Sequence, residues 1–160
     1  MLVALASVGL LAQAGAGARA PGQPASGSIR TTVSDELGEA RRLTADGKVS
    51  DALAVYARVL AADARQPEAL AYQGLLIALG GSSTEGLASI DRALAADPSY
   101  PEARLFRGLV LVGTDRAGAA AEFRAALADR PTSAVAAAAQ AALDKVSAGD
   151  TPAAAGPVAP

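Results

Sequence analysis

The sequence predicts an all-α fold: three stacked helical hairpins closed by one further helix. Two observations predict it. Alanine dominates the composition, and alanine is the best helix former because it loses no rotamer freedom in a helix. The chain also repeats itself. Arg58-Val59-Leu60-Ala61-Ala62-Asp63 returns as Arg92-Ala93-Leu94-Ala95-Ala96-Asp97, five identities in six at an offset of 34. Pro67-Glu68-Ala69 returns as Pro101-Glu102-Ala103 and Gly74 as Gly108, at the same offset. A period of that length in a helix-rich chain marks a two-helix repeat.

Taken in order, residues 1–20 read as an apolar membrane anchor or signal segment. Leu2 to Ala18 carries no charge, and its length lies at the lower edge for a bilayer span and is long for a signal peptide's apolar core. No Lys or Arg precedes it, which fits a true start upstream of Met1. Ala18-Arg19-Ala20 has the small-x-small pattern of a cleavage site, although Pro21 disfavours it there; Ala14-Gly15-Ala16 is the other candidate. The competing reading is a buried core helix or an Ala-rich arm. Residues 21–32, opening Pro21-Gly22-Gln23-Pro24-Ala25-Ser26-Gly27-Ser28, read as a tether too rich in Pro, Gly and Ser to pack. Arg19 and Arg30 argue weakly for a cytoplasmic downstream side, against the export that an anchored domain suggests.

The helical domain occupies residues 33–146, with repeats at 33–66, 67–100 and 101–133. Its second helices carry apolar residues three and four apart, as in Leu53, Tyr56, Leu60 and Leu87, Ile90, Leu94. Ser82 and Glu85 form a capping-box pattern. Asp35 and Glu36 are expected in the first turn of the first helix, where the dipole favours negative charge. Asp46-Gly47 and Gly80-Gly81 supply turns inside the first two hairpins. The third hairpin is one residue short around Thr114-Asp115-Arg116. A helix over 132–146 places Val135, Ala139, Ala142, Leu143 and Val146 on one side and Gln140, Asp144 and Lys145 on the other, as the end of a stacked array requires. Residues 147–160 read as a disordered tail.

These registers resemble the tetratricopeptide repeat (TPR) family. The family's small residue at the eighth position is matched by Ala40, Gly74 and Gly108. Its second small position is matched by Ala52, Gly86 and Ala119. Larger apolar residues follow at Tyr56, Ile90 and Phe123, then Val59, Ala93 and Ala126, and closing prolines stand at Pro98 and Pro131. The family's tryptophan is replaced by Glu36, Leu70 and Arg104. The resemblance implies a right-handed superhelix whose first helices line a concave surface. Within the superfamily, Pro67–Gly74 and Ala93–Pro98 resemble the membrane-anchored bacterial TPR subunit of cytochrome c maturation.

The composition excludes much chemistry. The chain has no histidine and no cysteine, which removes disulfides, thiol nucleophiles, Ser–His–Asp triads and Cys or His metal sites. Lys+Arg 14 against Asp+Glu 16 gives no excess positive charge for a phosphate backbone, and 3% aromatics gives no stacking platform, so nucleic acid is not expected as a partner. Glu68 and Glu102 follow prolines at helix starts and read as dipole partners. Asp63, Asp97 and Asp129 read as turn residues, and Arg58 and Arg92 as solvated charges. Gly80-Gly81-Ser82-Ser83 lacks the lysine of a phosphate loop. No enzyme activity and no cofactor is expected.

The resemblance implies a groove at repeat positions 2, 5, 9, 12 and 13. In the first repeat these are Ser34, Leu37, Arg41, Thr44 and Ala45. The second gives Glu68, Ala71, Leu75, Ala78 and Leu79, and the third Glu102, Leu105, Leu109, Val112 and Gly113. Family members that clamp a terminal carboxylate use Lys, Arg and Asn there; this chain has Leu and Ala. The expected protein-binding groove is therefore Leu37, Arg41, Glu68, Ala71, Leu75, Leu79, Glu102, Leu105, Leu109 and Val112. The competing reading gives several of them to contacts between repeats. The expected function is a protein–protein scaffold, a membrane-tethered adaptor outside the cytoplasm that binds an apolar or amphipathic segment. The alternative is a homo-oligomeric envelope component whose groove is filled in cis or by another copy.

Overall fold

A computed structural model describes residues 26–148 as seven α-helices. The helices are α1 (Ser26–Ala45), α2 (Val49–Ala62), α3 (Pro67–Leu79), α4 (Ser83–Ala96), α5 (Pro101–Leu111), α6 (Arg116–Ala128) and α7 (Ser133–Ala148). Consecutive pairs α1/α2, α3/α4 and α5/α6 pack as hairpins, α7 closes on α5 and α6, and α3 also meets α5. No strand occurs among the described residues. The all-α array of three hairpins and a closing helix is therefore the observed fold.

Small residues mark where each hairpin closes. Ala40 and Ala52 are fully buried. A Cβ added to Gly86 would lie 2.5 Å from the Gly74 carbonyl oxygen, and one added to Gly74 would lie 2.6 Å from the Gly86 oxygen. In the third hairpin a Cβ on Gly108 would lie 2.5 Å from the Phe123 ring. The helices approach so closely that backbone faces backbone in the second pair and backbone faces a ring in the third.

Two apolar clusters make the core. The first gathers Leu37, Ala40, Ala52, Val55, Tyr56 and Val59 with Ala69 and Leu76 of the next repeat. The second runs from Leu70 and Ile90 through Phe106 and Phe123 to Val135 and Val146 of α7. Leu60 and Tyr72 pack against both. Tyr72 stacks on Tyr56 with ring centroids 5.7 Å apart and meets the edge of Phe106 at 4.9 Å, geometries that aromatic quadrupoles favour. One tyrosine thereby couples all three repeats.

The ends of the helices follow several local rules. Pro67 and Pro101 occupy the first helical positions of α3 and α5, where the missing N–H costs nothing. The Gln66 side chain accepts from Ala69 N at 2.7 Å. Gly47 and Gly81 take φ of 72° and 103°, the region glycine reaches without a Cβ penalty. The shorter third turn uses neither; Asp115 starts α6 by accepting from Gly118 N at 2.8 Å. Asp63 and Asp97 accept from the amides of Arg65 and Ser99, both at 3.0 Å, as turn-forming aspartates do. Asp129 instead takes the guanidinium of Arg104.

Several expectations are corrected. α1 begins at Ser26, so residues 26–32 of the segment read as a tether are helical. No proline lies between Pro24 and Pro67, so nothing removes a backbone donor there. In consequence Asp35 and Glu36 sit mid-helix, and the first turn of α1 has no acidic residue. Glu36 and Glu39 pair instead with Arg58, at 3.2 and 3.5 Å. Arg58 is thus exposed but ion-paired, and Arg92 donates to the Ala64 carbonyl at 3.3 Å. Ser82 stands at the N-cap of α4, yet its side chain makes no cap hydrogen bond. α7 continues through Ser147 and Ala148. The anchor read at 1–20, the first part of the tether and the tail from 149 lie outside the described residues.

Candidate functional site

α3 and α5 each carry a glutamate at the second position, and exposed leucine or valine at or just past the far end lies on the same stripe. On α3 the stripe runs Glu68, Leu75, Leu79; on α5 it runs Glu102, Leu109, Val112. Spacings of three, four and seven residues keep each set on one face. Leu79 is 74% exposed, Leu109 45% and Val112 37%. Monomeric proteins scatter such residues singly. Here three of the four exposed large hydrophobics of the described chain lie together, the fourth being Val49.

Two adjoining clefts share Leu109. One of about 450 Å³ is lined by Leu75, Ala78, Leu79, Ser83, Leu109 and Val110. The other, about 330 Å³, lies between α5 and α7 and is lined by Leu109 and Val112 with Ala138, Ala141, Ala142, Lys145 and Val146. Together they form an apolar trough across the second hairpin, the third hairpin and the closing helix. The α7 contribution was not anticipated from sequence. Ala138, Ala141 and Lys145 repeat at helical spacing beside the buried stripe of Val135, Ala139 and Val146, and that second stripe was the available signal.

A third cleft of about 340 Å³ lies at the other end, lined by Val33, Ser34, Leu37, Arg41, Asp63, Gln66 and Glu68. It holds charged side chains among its lining, and Arg41 Nη1 donates to Glu68 Oε1 at 2.6 Å. The ten expected groove residues thus divide. Leu75, Leu79, Leu109 and Val112 form the apolar trough, while Arg41, Glu68 and Glu102 form a charged end. Leu37, Ala71 and Leu105 are buried and fill the core. Their position in the repeat points between hairpins, where the next hairpin covers it in so short an array.

The charged end is backed by tyrosines. Burial pushes the Tyr56 hydroxyl up to about 12. Burial also raises Tyr72, reinforced by the Glu68 and Glu102 carboxylates, and raises Tyr100, reinforced by Glu102 and Glu68. All three rings therefore stay neutral across the physiological range and act as apolar walls with hydroxyl tips.

Away from the trough, ion pairs lock the hairpins. Arg107 reaches Asp91 at 3.0 Å and Glu122 at 2.7 Å, and Arg104 joins Glu122 and Asp129. Arg116 donates to the Val146 carbonyl at 2.6 Å, tying α6 to the end of α7. Among the described residues no three Asp, Glu, His or Cys side chains group as metal ligands.

A tetratricopeptide repeat family profile matches residues 37–101 and 80–134. The chain belongs to the tetratricopeptide repeat family. No curated protein matches it. Among solved structures it is similar to the TPR domain of P58(IPK), at 23% identity and TM-score 0.61, over 73% of this chain and 33% of that one. It is similar to the first TPR of Spaghetti (RPAP3) bound to an HSP90 peptide, at 18% identity and TM-score 0.62, over 73% and 91% of the two chains. It is also similar to PcrH of Pseudomonas aeruginosa in complex with the chaperone-binding region of PopD, at 22% identity and TM-score 0.63, over 75% and 94%. The chain spans only a third of the P58(IPK) structure it matches. At these identities the likeness is one of fold. As a TPR array the chain is a protein-interaction scaffold, and its engaged Asp and Glu side chains serve caps, turns, ion pairs and, at Asp144, a hydrogen bond donated by Gln140.

Proposed function

We propose that this TPR domain holds an apolar or amphipathic segment of a partner protein along Leu75, Leu79, Leu109 and Val112. The observation that carries the reading is the clustering of exposed aliphatic side chains at two joined clefts. Exposed apolar surface gathered on one concave face is a recurrent mark of a protein-binding site, and an amphipathic helix laid in a groove is a recurrent way to fill one. That PcrH holds a region of PopD, and the RPAP3 repeat an HSP90 peptide, supports a peptide-sized ligand. The chain is a binding module and not an enzyme.

The test is a paired substitution, Leu79→Gln with Leu109→Gln, in the full chain. Both side chains are exposed, so helicity and the unfolding midpoint should hold. Burying a Leu-sized side chain contributes roughly 1.5–3 kcal/mol before ordering costs, so partner capture should fall at least about tenfold. A folded double variant that captures its partner as before removes the groove.

We further propose that residues 1–20 hold the domain at a membrane, with the repeats outside the cytoplasm, in the assembly of an envelope complex such as that for cytochrome c maturation. The support is the uncharged run Leu2–Ala18. No helix among the described residues is long and apolar enough to cross a membrane, so anchoring rests on that run. The full chain should sediment with membranes, and deletion of residues 1–20 should release it. Quantitative recovery of the full chain in the soluble fraction would contradict the anchor, and unchanged haem attachment in a strain lacking the protein would contradict that pathway.

A further inference from the structure

The boundary between the second and third repeats lacks an ion pair that joins the first and second. Arg41 and Glu68 stand 27 residues apart, on α1 and α3, and form an ion pair across the repeat boundary. The same step taken one repeat later connects residue 75 to residue 102. Residue 102 is again glutamate, but residue 75 is leucine. Glu102 therefore occupies the position of Glu68 without the arginine that answers it, and no cation pairs with it among the described residues.

Its surroundings do not supply one. Arg104 and Arg107 leave α5 on other faces and are taken by Asp129, Glu122 and Asp91. The groups that feel the Glu102 charge are the hydroxyls of Tyr72 and Tyr100, which are neutral. Glu102 is half-buried, so its charge is screened less than that of a fully solvated carboxylate. The start of the α5 dipole stabilises it in part, but Glu68 has the same dipole at α3 and an arginine besides.

From this asymmetry we infer that the segment held in the trough carries a basic side chain, which docks on Glu102 while aliphatic side chains fill the clefts at Leu75, Leu79 and Leu109. The inference rests on the groove reading above and specifies its ligand. The geometry also sets a spacing. Glu102 and Leu109 lie two turns apart on α5, about 10 Å along the axis. The cation of the partner must stand a similar distance from the aliphatic anchor that packs on Leu109. The opposite end of the trough is lined by Lys145, so a reversed segment would bring its cation against a like charge, which is disfavoured.

The experiment uses the full chain and synthetic amphipathic peptides with one shared leucine stripe. They differ at a single residue two helical turns from the stripe, on either side: lysine, glutamine or glutamate. Binding is read by fluorescence anisotropy. The lysine peptide should bind about tenfold more tightly than the glutamate peptide, with glutamine between. That preference should shrink at high salt while binding of the glutamine peptide holds. In Glu102→Gln the three peptides should fall within about twofold of one another. Leu75→Arg gives Glu102 the partner that Glu68 has and should abolish the preference by a second route. Equal binding of all three peptides to the unaltered chain, with loss on Leu109→Gln, would leave the groove standing and overturn the inference. Failure of every peptide to bind would overturn both.

Discussion

Replacing Phe123 by alanine should remove about 3–5 kcal/mol from the stability of the domain. The ring is fully buried. Its edge lies where a Cβ on Gly108 would stand, so it fills the notch that the missing side chain leaves between α5 and α6. The same cluster holds Phe106, Ala119 and Ala126 with Val135, Ala139 and Val146 of the closing helix. Deleting the ring leaves a void that these neighbours cannot close without moving α5, α6 or α7. In an array where each unit is stabilised by its neighbours, the last hairpin and α7 should come apart first. A domain of this size has on the order of 5–15 kcal/mol in all, so the loss should appear as a large fall in the urea midpoint. A shift of under about 1 kcal/mol would mean that the third hairpin is not packed around this ring.

The second large effect has the opposite sign from the one helix propensity alone would give. Gly86 lies inside α4, where changing glycine to alanine ordinarily gains about 1 kcal/mol. Here the new methyl would stand 2.5 Å from the Gly74 oxygen and 2.6 Å from the Ala78 Cβ. Since one obstacle is backbone, α3 and α4 must separate, and overpacking of this kind costs about 1–3 kcal/mol. Gly86→Ala should therefore destabilise. Gly38 is the control: it lies within α1 and has nothing within 4 Å of an added Cβ. Gly38→Ala should stabilise by up to about 1 kcal/mol. Thermal unfolding of the two variants decides it, and a stabilised Gly86→Ala would show that the hairpin is looser than described.

Both effects were partly legible in the sequence, because the 34-residue offset aligns Gly74 with Gly108 and Ile90 close to Phe123 in register. What sequence could not supply was which partner each small residue meets: carbonyl oxygen for Gly86, an aromatic ring for Gly108. The start of α1 is not legible in the sequence because Ser, Gly and Thr are weak helix formers individually, and they are carried here as an extension of the helix that packs Leu37 and Ala40. Ser82 was legible as a helix start but not as a hydrogen bond, since a cap needs side-chain geometry that spacing does not encode. The Arg104 and Arg107 ion pairs join residues 15 to 25 positions apart across different helices and leave no local pattern.

The candidate site was legible in its apolar part and blurred elsewhere. Leu75, Leu79, Leu109 and Val112 follow from register alone. Leu37, Ala71 and Leu105 share the register but are covered by the next hairpin. The Ala138, Ala141 and Lys145 stripe of α7 lies outside the repeats, and only the packing of α7 against α5 brings it to the trough. The Arg41–Glu68 pair shows why charge must be read across the boundary: its sequence separation, 27, is the repeat length less the seven residues between positions 2 and 9.

The central claim is that a partner segment lies in the trough, and site-specific photo-crosslinking tests it most directly. A photoreactive residue is placed at position 79 of the full chain and, as a control, at the exposed Ala54 of α2, and the adducts are mapped by mass spectrometry. The account predicts adducts from position 79 on a segment of another protein that carries aliphatic residues at helical spacing, with none from position 54. Equal labelling from both positions, or adducts from position 79 confined to other copies of this chain, would contradict it.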